Sequence, residues 1–246
     1  MALHDTIGNS PVFTGPLYAQ VAAVLRGKIS SKEWTPAEAL PNEALLAKTI
    51  GVSVGTIRKA LEILEDERLI YRRQGRGTFV VDISEDSELE RFSNLVIGSK
   101  KIKADAARLS ASSGVATRDE CDRLNLRSGD PVIRFEGVWT AADTIKVAER
   151  ISVPQARFQG LEKRDINGGQ TLYAIYRKHY NIIIGRVAEQ VSCVNADDSL
   201  AGILGVRRDQ ALLRMDRVSR AAGGGPVEWC VRHAHMKTAS YAVSMS

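Results

Sequence analysis

Apolar positions recur at helical spacing over residues 17–29, where Leu17, Val21, Val24, Leu25 and Ile29 make one stripe and predict a first helix. Trp34-Thr-Pro breaks that pattern. Asn42 then stands at an N-cap position before a second helix, whose inward face is read as Leu45, Leu46 and Ile50. Gly51 ends it, since glycine takes the left-handed conformation a tight turn demands. Ser53 caps a third predicted helix to about residue 68, with Ile57, Leu61 and Leu64 inward. Two short runs, 69–73 and 78–81, flank Gln74-Gly-Arg-Gly77 and predict a β-hairpin with a glycine-bearing tip.

Residues 82–90, DISEDSELE, are acidic and poor in large apolar groups, as a solvated linker is. Beyond them the pattern alternates. Strands are predicted over 131–140, 145–153, 187–195, 211–220 and 227–235, and helices over 171–180 and 197–204. Short turns at 141–144 and 222–226 join successive long strands, so the second half reads as an α+β domain with a largely antiparallel sheet. No internal repeat is visible. The expected organisation is a polar leader (1–15), a winged helix-turn-helix (16–81), a linker (82–90) and a second domain (91–246).

Composition narrows the class without deciding it. A chain of 246 residues is long for one domain and comfortable for two. No apolar run reaches the roughly 18 residues that span a bilayer, and the N-terminus lacks a basic segment followed by an apolar one, so a cytoplasmic protein without membrane contact is expected. Cys121, Cys193 and Cys230 are odd in number and widely spaced, which fits reduced thiols rather than a disulfide framework. The net charge of +5 permits a nucleic-acid partner but does not require one. Residues 1–82 hold ten lysines and arginines against nine acidic residues, so any electrostatic footprint in the first half is local.

That local footprint is at the third helix and the hairpin. A helix entering the major groove presents its N-terminal turn to base edges, and the free N–H groups of the turn can bind phosphate. Here the turn is Ser53-Val-Gly-Thr56, followed by Arg58 and Lys59, while Glu62, Glu65, Asp66 and Glu67 lie at the far end. Arg72, Arg73 and Arg76 surround the hairpin tip. Over residues 16–81 the chain resembles the winged-helix domain of GntR-family repressors, in LPNEALLA, GVSVGTIRKAL and GRGTFV. The resemblance implies that Asn42, Ser53, Thr56, Arg58 and the wing residues Gln74, Gly75 and Arg76 meet DNA. Lys59, Arg72, Arg73, Gly77 and Thr78 complete the expected interface. Ala44, Val54 and Gly55 stand where the family usually carries Arg, Arg and Thr or a similar polar residue, which removes cationic contacts and leaves Arg58 as the main arginine on the recognition helix.

From about residue 91 the chain resembles the effector-binding UTRA domain of the HutC subfamily, whose fold is that of chorismate lyase. LNLRSGDPVIRFEGVW, AERISVP, QTLYAIYRKHYNI, ILGVRRDQALLRMDR and GGPVEW carry it. The resemblance implies effector contacts from Ser93, Glu149, Thr171 and Glu228. Sugar-phosphate-binding relatives place two arginines where this chain has Gly137 and Trp139, so the effector is expected not to be a sugar phosphate. Phe135 and Trp139 share strand parity and either line a pocket for a flat ligand or are core. Arg232 shares parity with Glu228 and pairs either with a ligand carboxylate or within the protein. His233 and His235 are a weak metal pair without a third ligand. No catalytic residue, cofactor or metal is expected. The expected function is a homodimeric, ligand-responsive regulator on a pseudo-palindromic operator in double-stranded DNA, and the alternative is an enzyme with lyase-like chemistry in the second domain.

Overall fold

The structure is a computed structural model that describes residues 15–36, 38–82, 84, 92–102, 106–141, 145–166, 171–237 and 239–243. The polar leader, most of the expected linker and the 141–144 turn beyond its first residue fall outside them. Three helices open the described residues: α1 (Leu17–Ser30), α2 (Glu43–Ile50) and α3 (Val54–Asp66). Asn42 Oδ1 accepts the Leu45 amide at 2.8 Å, and Ser53 Oγ accepts the Thr56 amide at 3.1 Å, so both capping residues satisfy amides the helices leave orphaned. Gly51 closes α2 at φ 80°. Val21, Leu25, Ile57 and Leu64 are sealed between α1 and α3. Leu45, read as inward, is 52% exposed, because the buried face of this two-turn helix is Leu46, Ala47 and Ile50.

The hairpin of β1 (Ile70–Arg73) and β2 (Gly77–Val80) pairs Ile70 with Val80 and Arg73 with Gly77. Its open side is covered by the chain entering α2. The Leu40 amide donates to the Thr78 carbonyl at 2.7 Å, and Ala39 bridges Phe79. The β2 edge of the wing is therefore fixed to the segment that enters α2.

The second half builds a six-stranded antiparallel sheet from β5 (Ala106–Val115), β6 (Pro131–Ala141), β7 (Ile145–Pro154), β8 (Ile184–Asn195), β9 (Ala211–Ala221) and β10 (Pro226–Ala234), in the order β5-β6-β7-β10-β9-β8. Three helices accompany it: α4 (Arg118–Leu124), α5 (Leu172–Tyr180) and α6 (Asp198–Leu204). A small sheet of β3 (Leu95–Ile97), β4 (Lys100–Lys101) and β11 (Ser240–Tyr241) completes it. One face packs on α4 and α6, through Leu124 against Val218, Trp229 and Val231 and through Leu204 against Ala148 and Leu212. The other face carries two apolar clusters. One centres on Phe135, Phe158 and Tyr176 under α5, and one on Trp139, Met215 and Leu95 under the small sheet. Among the described residues no helix is long and apolar enough to cross a membrane.

The strand order reveals a duplication that no repeat in the sequence announces. The unit β5-α4-β6-β7 recurs as β8-α6-β9-β10, with Arg118 against Asp198 and Pro131 against Ala211 at the starts of equivalent elements. The two units meet at β7 and β10, where Glu149 pairs with Arg232 and Ile151 with Cys230. Even the entry turns match, since the amides of Ala116 and Ala196 donate to Asp130 and Gln210 at 2.9 Å. Of the cysteines, Cys230 is buried, Cys121 half-buried and Cys193 exposed on an edge strand. His233 lies on β10, but the strand ends at Ala234, so His235 does not share its face as alternation would require.

Within the first unit a buried carboxylate ties helix to sheet. Glu120 of α4 accepts from Arg134 Nε at 2.7 Å and Nη2 at 2.6 Å, from Ser152 Oγ at 2.7 Å and from the Thr117 amide at 2.8 Å. Burial opposes its ionisation most strongly, yet the donors together outweigh burial and hold the carboxyl at about 2. Because the group titrates lower folded than unfolded, its stabilisation is complete above the ordinary carboxylate range and is lost as pH falls toward 2. Glu120→Gln should cost about 3 kcal/mol at pH 7, and the penalty should shrink as the wild type is acidified. Urea melts of both proteins at pH 7 and pH 3 give the comparison, and equal penalties would refute the assignment.

Candidate functional site

Two polar regions stand out, one at each end of the molecule. At the first, the N-terminal turn of α3 leaves Ser53, Val54, Gly55, Arg58 and Lys59 exposed. Ser53 Oγ and Thr56 Oγ1 lie 2.8 Å apart, so both hydroxyls are ordered by the cap. The expected principal contact, Arg58, is already engaged. Its Nε and Nη2 donate to Glu43 Oε2 at 3.1 and 2.9 Å across the helix-turn-helix crossing, and its acidity is weakened by that bond and by the Glu43 charge. The pair is exposed, so water competes with it and a phosphate can displace it. Lys59 lies 5.6 Å from the Tyr18 ring centroid, and Arg73 lies over the stacked rings of Tyr71 and Phe79 at 5.3 and 5.6 Å. Arg72 pairs with Glu65 at 3.2 Å. Gln74, Gly75 and Arg76 form the exposed tip between the strands. Asn42, the α3 turn and the wing are thus tied together by Arg58 to Glu43, Arg72 to Glu65 and Leu40 to Thr78.

The second region is a polar belt on the inward face of the large sheet, between the two apolar clusters. Glu228 accepts from Ser219 Oγ at 3.0 Å, Tyr173 OH at 3.3 Å and Tyr176 OH at 2.9 Å. Burial raises Glu228 above the usual carboxylate range, against the pull of Tyr176, Arg232 and Ser219. Burial likewise pushes both tyrosines well up, so they act as donors and not as phenolates. Arg217 donates to Glu189 at 2.7 Å and to the Phe92 carbonyl at 2.5 Å, and Glu189 also takes the hydroxyl of Tyr241. Arg232 Nε donates to Glu149 Oε1 at 2.5 Å.

The two modules meet at a joint. Helix α5 carries Tyr173 and Tyr176 to the belt, and three residues past its end Ile183 is buried in the apolar core of the three-helix module. Arg186 donates through Nη2 at 2.8 Å and Nε at 3.3 Å to the Asp66 carbonyl, the last residue of α3. Arg26 of α1 holds the adjoining Glu67 at 2.8 and 2.9 Å. Between them Gly185 passes so close that a Cβ would stand 3.1 Å from the Glu67 carbonyl oxygen and from the Ala222 Cα, which explains a glycine at the start of a strand.

The structure distributes the expected effector residues unevenly. Glu149, Glu228 and Arg232 meet in the belt. Thr171 is the N-cap of α5, accepting the Ala174 amide at 3.2 Å, and Ser93 is half-buried on the segment before β3. Phe135 is fully buried against Phe158 and Tyr176 and offers no surface, which settles it as core, and Trp139 belongs to the separate cluster under the small sheet. Sequence reasoning missed Tyr173, Tyr176, Glu189, Arg217 and Ser219. A signal existed: Arg217 and Ser219 share parity with the buried Met215, and an arginine at an inward strand position needs a buried partner.

Comparison with known proteins agrees with this division. Residues 17–80 match the model of bacterial regulatory proteins of the gntR family, and residues 100–238 match the UTRA domain. The HTH-type transcriptional repressor NagR of Bacillus subtilis is 26% identical over 223 residues, covering 89% of both chains. A histidine utilization repressor of Klebsiella aerogenes is 42% identical over 74 residues, covering 30% of this chain and 31% of that one. Among solved structures, PhnF from Mycobacterium smegmatis matches with a TM-score of 0.54 at 22% identity, covering 92% of this chain and 99% of that one. The ligand-binding domain of a GntR-family regulator from Bordetella bronchiseptica matches with a TM-score of 0.57 at 23% identity, covering 63% and 98%. At these identities the structures speak for the fold alone.

The joint makes a prediction of its own. Ile183→Ala should lower stability by about 2–5 kcal/mol, and the three-helix module should then melt ahead of the sheet domain. Scanning calorimetry would show the separation, and a single unshifted transition would mean that Ile183 does not hold the modules together.

Proposed function

The chain belongs to the GntR family of bacterial regulatory proteins, in the HutC branch that carries a UTRA domain, and we propose that it works by coupling a DNA-gripping winged helix to an effector held in the polar belt. It is a ligand-responsive transcription regulator rather than an enzyme. The observation that carries the mechanism is the joint, which attaches the C-terminal end of the recognition helix α3 to the strand that follows the pocket helix α5.

On the DNA side, the N-terminal turn of α3 enters the major groove while the wing tip, Gln74 to Arg76, meets the flanking backbone. Asn42, Ser53, Thr56, Lys59, Arg72, Arg73, Gly77 and Thr78 build or flank this surface. Arg58 exchanges Glu43 for DNA, so its contact is gained at the cost of an exposed ion pair worth about 0–1 kcal/mol. The chain acts as a homodimer on a pseudo-palindromic operator, since two-fold protein symmetry is what such sites mirror. On the effector side, Ser93, Thr171, Glu149, Glu228 and Arg232 surround the ligand, and Trp139 and Gly137 stand where a sugar phosphate would require cations. Effector binding shifts the equilibrium between module arrangements by its differential affinity for them, which represses or releases transcription.

The test is a gel-shift and footprint of the full chain on the DNA upstream of its own gene. A protected pseudo-palindrome is expected. Arg58→Ala should weaken specific binding by about 1–3 kcal/mol, roughly 5- to 150-fold, enough to abolish the specific shift at wild-type working concentrations, with an unchanged melting temperature. Unchanged operator affinity in that variant would sink the assignment.

A further inference from the structure

The inward face of the sheet holds two arginine–glutamate pairs, built alike and finished differently. Arg217 and Glu189 are closed: each side chain is 6% exposed, the guanidinium also serves the Phe92 carbonyl, and the carboxylate also takes Tyr241 and Asn94. Arg232 and Glu149 are open. They face each other across the centre of the sheet, in the register where the two repeated units meet. Glu149 spends one oxygen, Oε1, on Arg232 Nε and on the Cys230 thiol at 3.3 Å. Among the described residues, no hydrogen bond joins its second oxygen or the two terminal nitrogens of Arg232 to the protein, and Arg232 keeps 24% of its side-chain surface accessible.

An arginine fork left open beside a free carboxylate oxygen is a matched pair of charges awaiting a matched pair. We propose that this site binds a dipolar ligand, whose carboxylate lies on the terminal nitrogens of Arg232 and whose adjoining ammonium or ring N–H donates to Oε2 of Glu149. The chemical class is an α-amino acid or a heteroaromatic acid with its N–H beside the carboxylate. The inference rests on the reading that this domain holds the effector. A phosphate dianion fits poorly, because the guanidinium is already half neutralised by Glu149 and Arg217 is spent on Glu189. A neutral sugar forgoes the charge-assisted bonds that both free ends offer.

The experiment uses the full chain, with thermal shift and operator binding by fluorescence anisotropy read side by side. The probes are the twenty free L-amino acids and the imidazole-, pyrrole- and indole-carboxylic acids, each against its amide, together with hexose and hexosamine phosphates. At least one dipolar compound should raise the melting temperature and alter operator affinity, and its amide should do neither. Glu149→Gln and Arg232→Gln should each weaken that compound roughly tenfold or more. A cooperative melt without compound establishes that each variant folds, with Arg232→Lys as the substitute if the glutamine does not. Silence from every dipolar compound, or binding indifferent to Glu149→Gln, overturns the proposal. An operator response to a sugar phosphate alone overturns the ligand class and leaves the regulator standing, whereas failure to bind any operator overturns the regulator itself.

Discussion

The arrangement of the two modules depends on a small apolar contact, the seating of Ile183 from the sheet domain in the core of the three-helix module, with Ala222 packed beside it. Burying such a side chain contributes about 1.5–3 kcal/mol, and the Arg186 bonds to the Asp66 carbonyl give that contact a direction. The magnitude matters. A joint of this size orients the recognition helix in the resting state, yet it is comparable to the 1–3 kcal/mol over which allosteric coupling ordinarily operates. A large apolar interface would lock the modules together, and a bare linker would leave the helix indifferent to the pocket. This joint lies between those limits, and it is attached to the helix end remote from DNA.

The pocket end obeys a different constraint. A sheet whose two faces are both covered must fill its inward surface with apolar groups or with polar groups that satisfy one another. Here α5 and the small sheet pack on the two apolar clusters of the face, and the buried polar belt between them lies along the seam of the two repeated units. Charges are tolerated in that seam because nearly all have partners: Glu228 with two tyrosines and a serine, Arg217 with Glu189. The fully satisfied members rigidify the walls. Among the described residues of the belt, the side-chain ends without a hydrogen bond to the protein belong to the central pair.

The sequence made the first module legible almost to the residue, because caps, turn glycine and apolar period all pointed the same way. Asn42, Gly51 and Ser53 do what their residue types announce. The sheet domain was legible in its long strands but not in its symmetry. Strand β5, AARLSASSGV, is an edge strand without a buried face of large residues, and α4, RDECDRL, is a two-turn helix fixed by a capping box and by Glu120, so neither carries a period strong enough to find. The duplication is invisible for a related reason. Equivalent positions conserve burial and turn geometry, as at Leu124 and Leu204, while the polar belt has driven others apart, so that Gly137 and Arg217 occupy corresponding places in β6 and β9.

That last divergence connects the two ends of the argument. In one unit the inward position is a glycine, paired with Glu149 across the β6–β7 ladder. In the other it is an arginine, which pairs with Glu189 and holds the segment before β3 through the Phe92 carbonyl. Symmetry of the backbone with asymmetry of the side chains gives the inward face one closed ion pair and one open one. The helix that brings Tyr173 and Tyr176 to the belt is α5, and the chain leaving α5 is the one that seats Ile183. A ligand that settles against Arg232 therefore meets the tyrosines of the same helix whose far end holds the recognition helix. If the effector binds where proposed, this proximity would carry its effect from the sheet to the helix proposed to meet DNA.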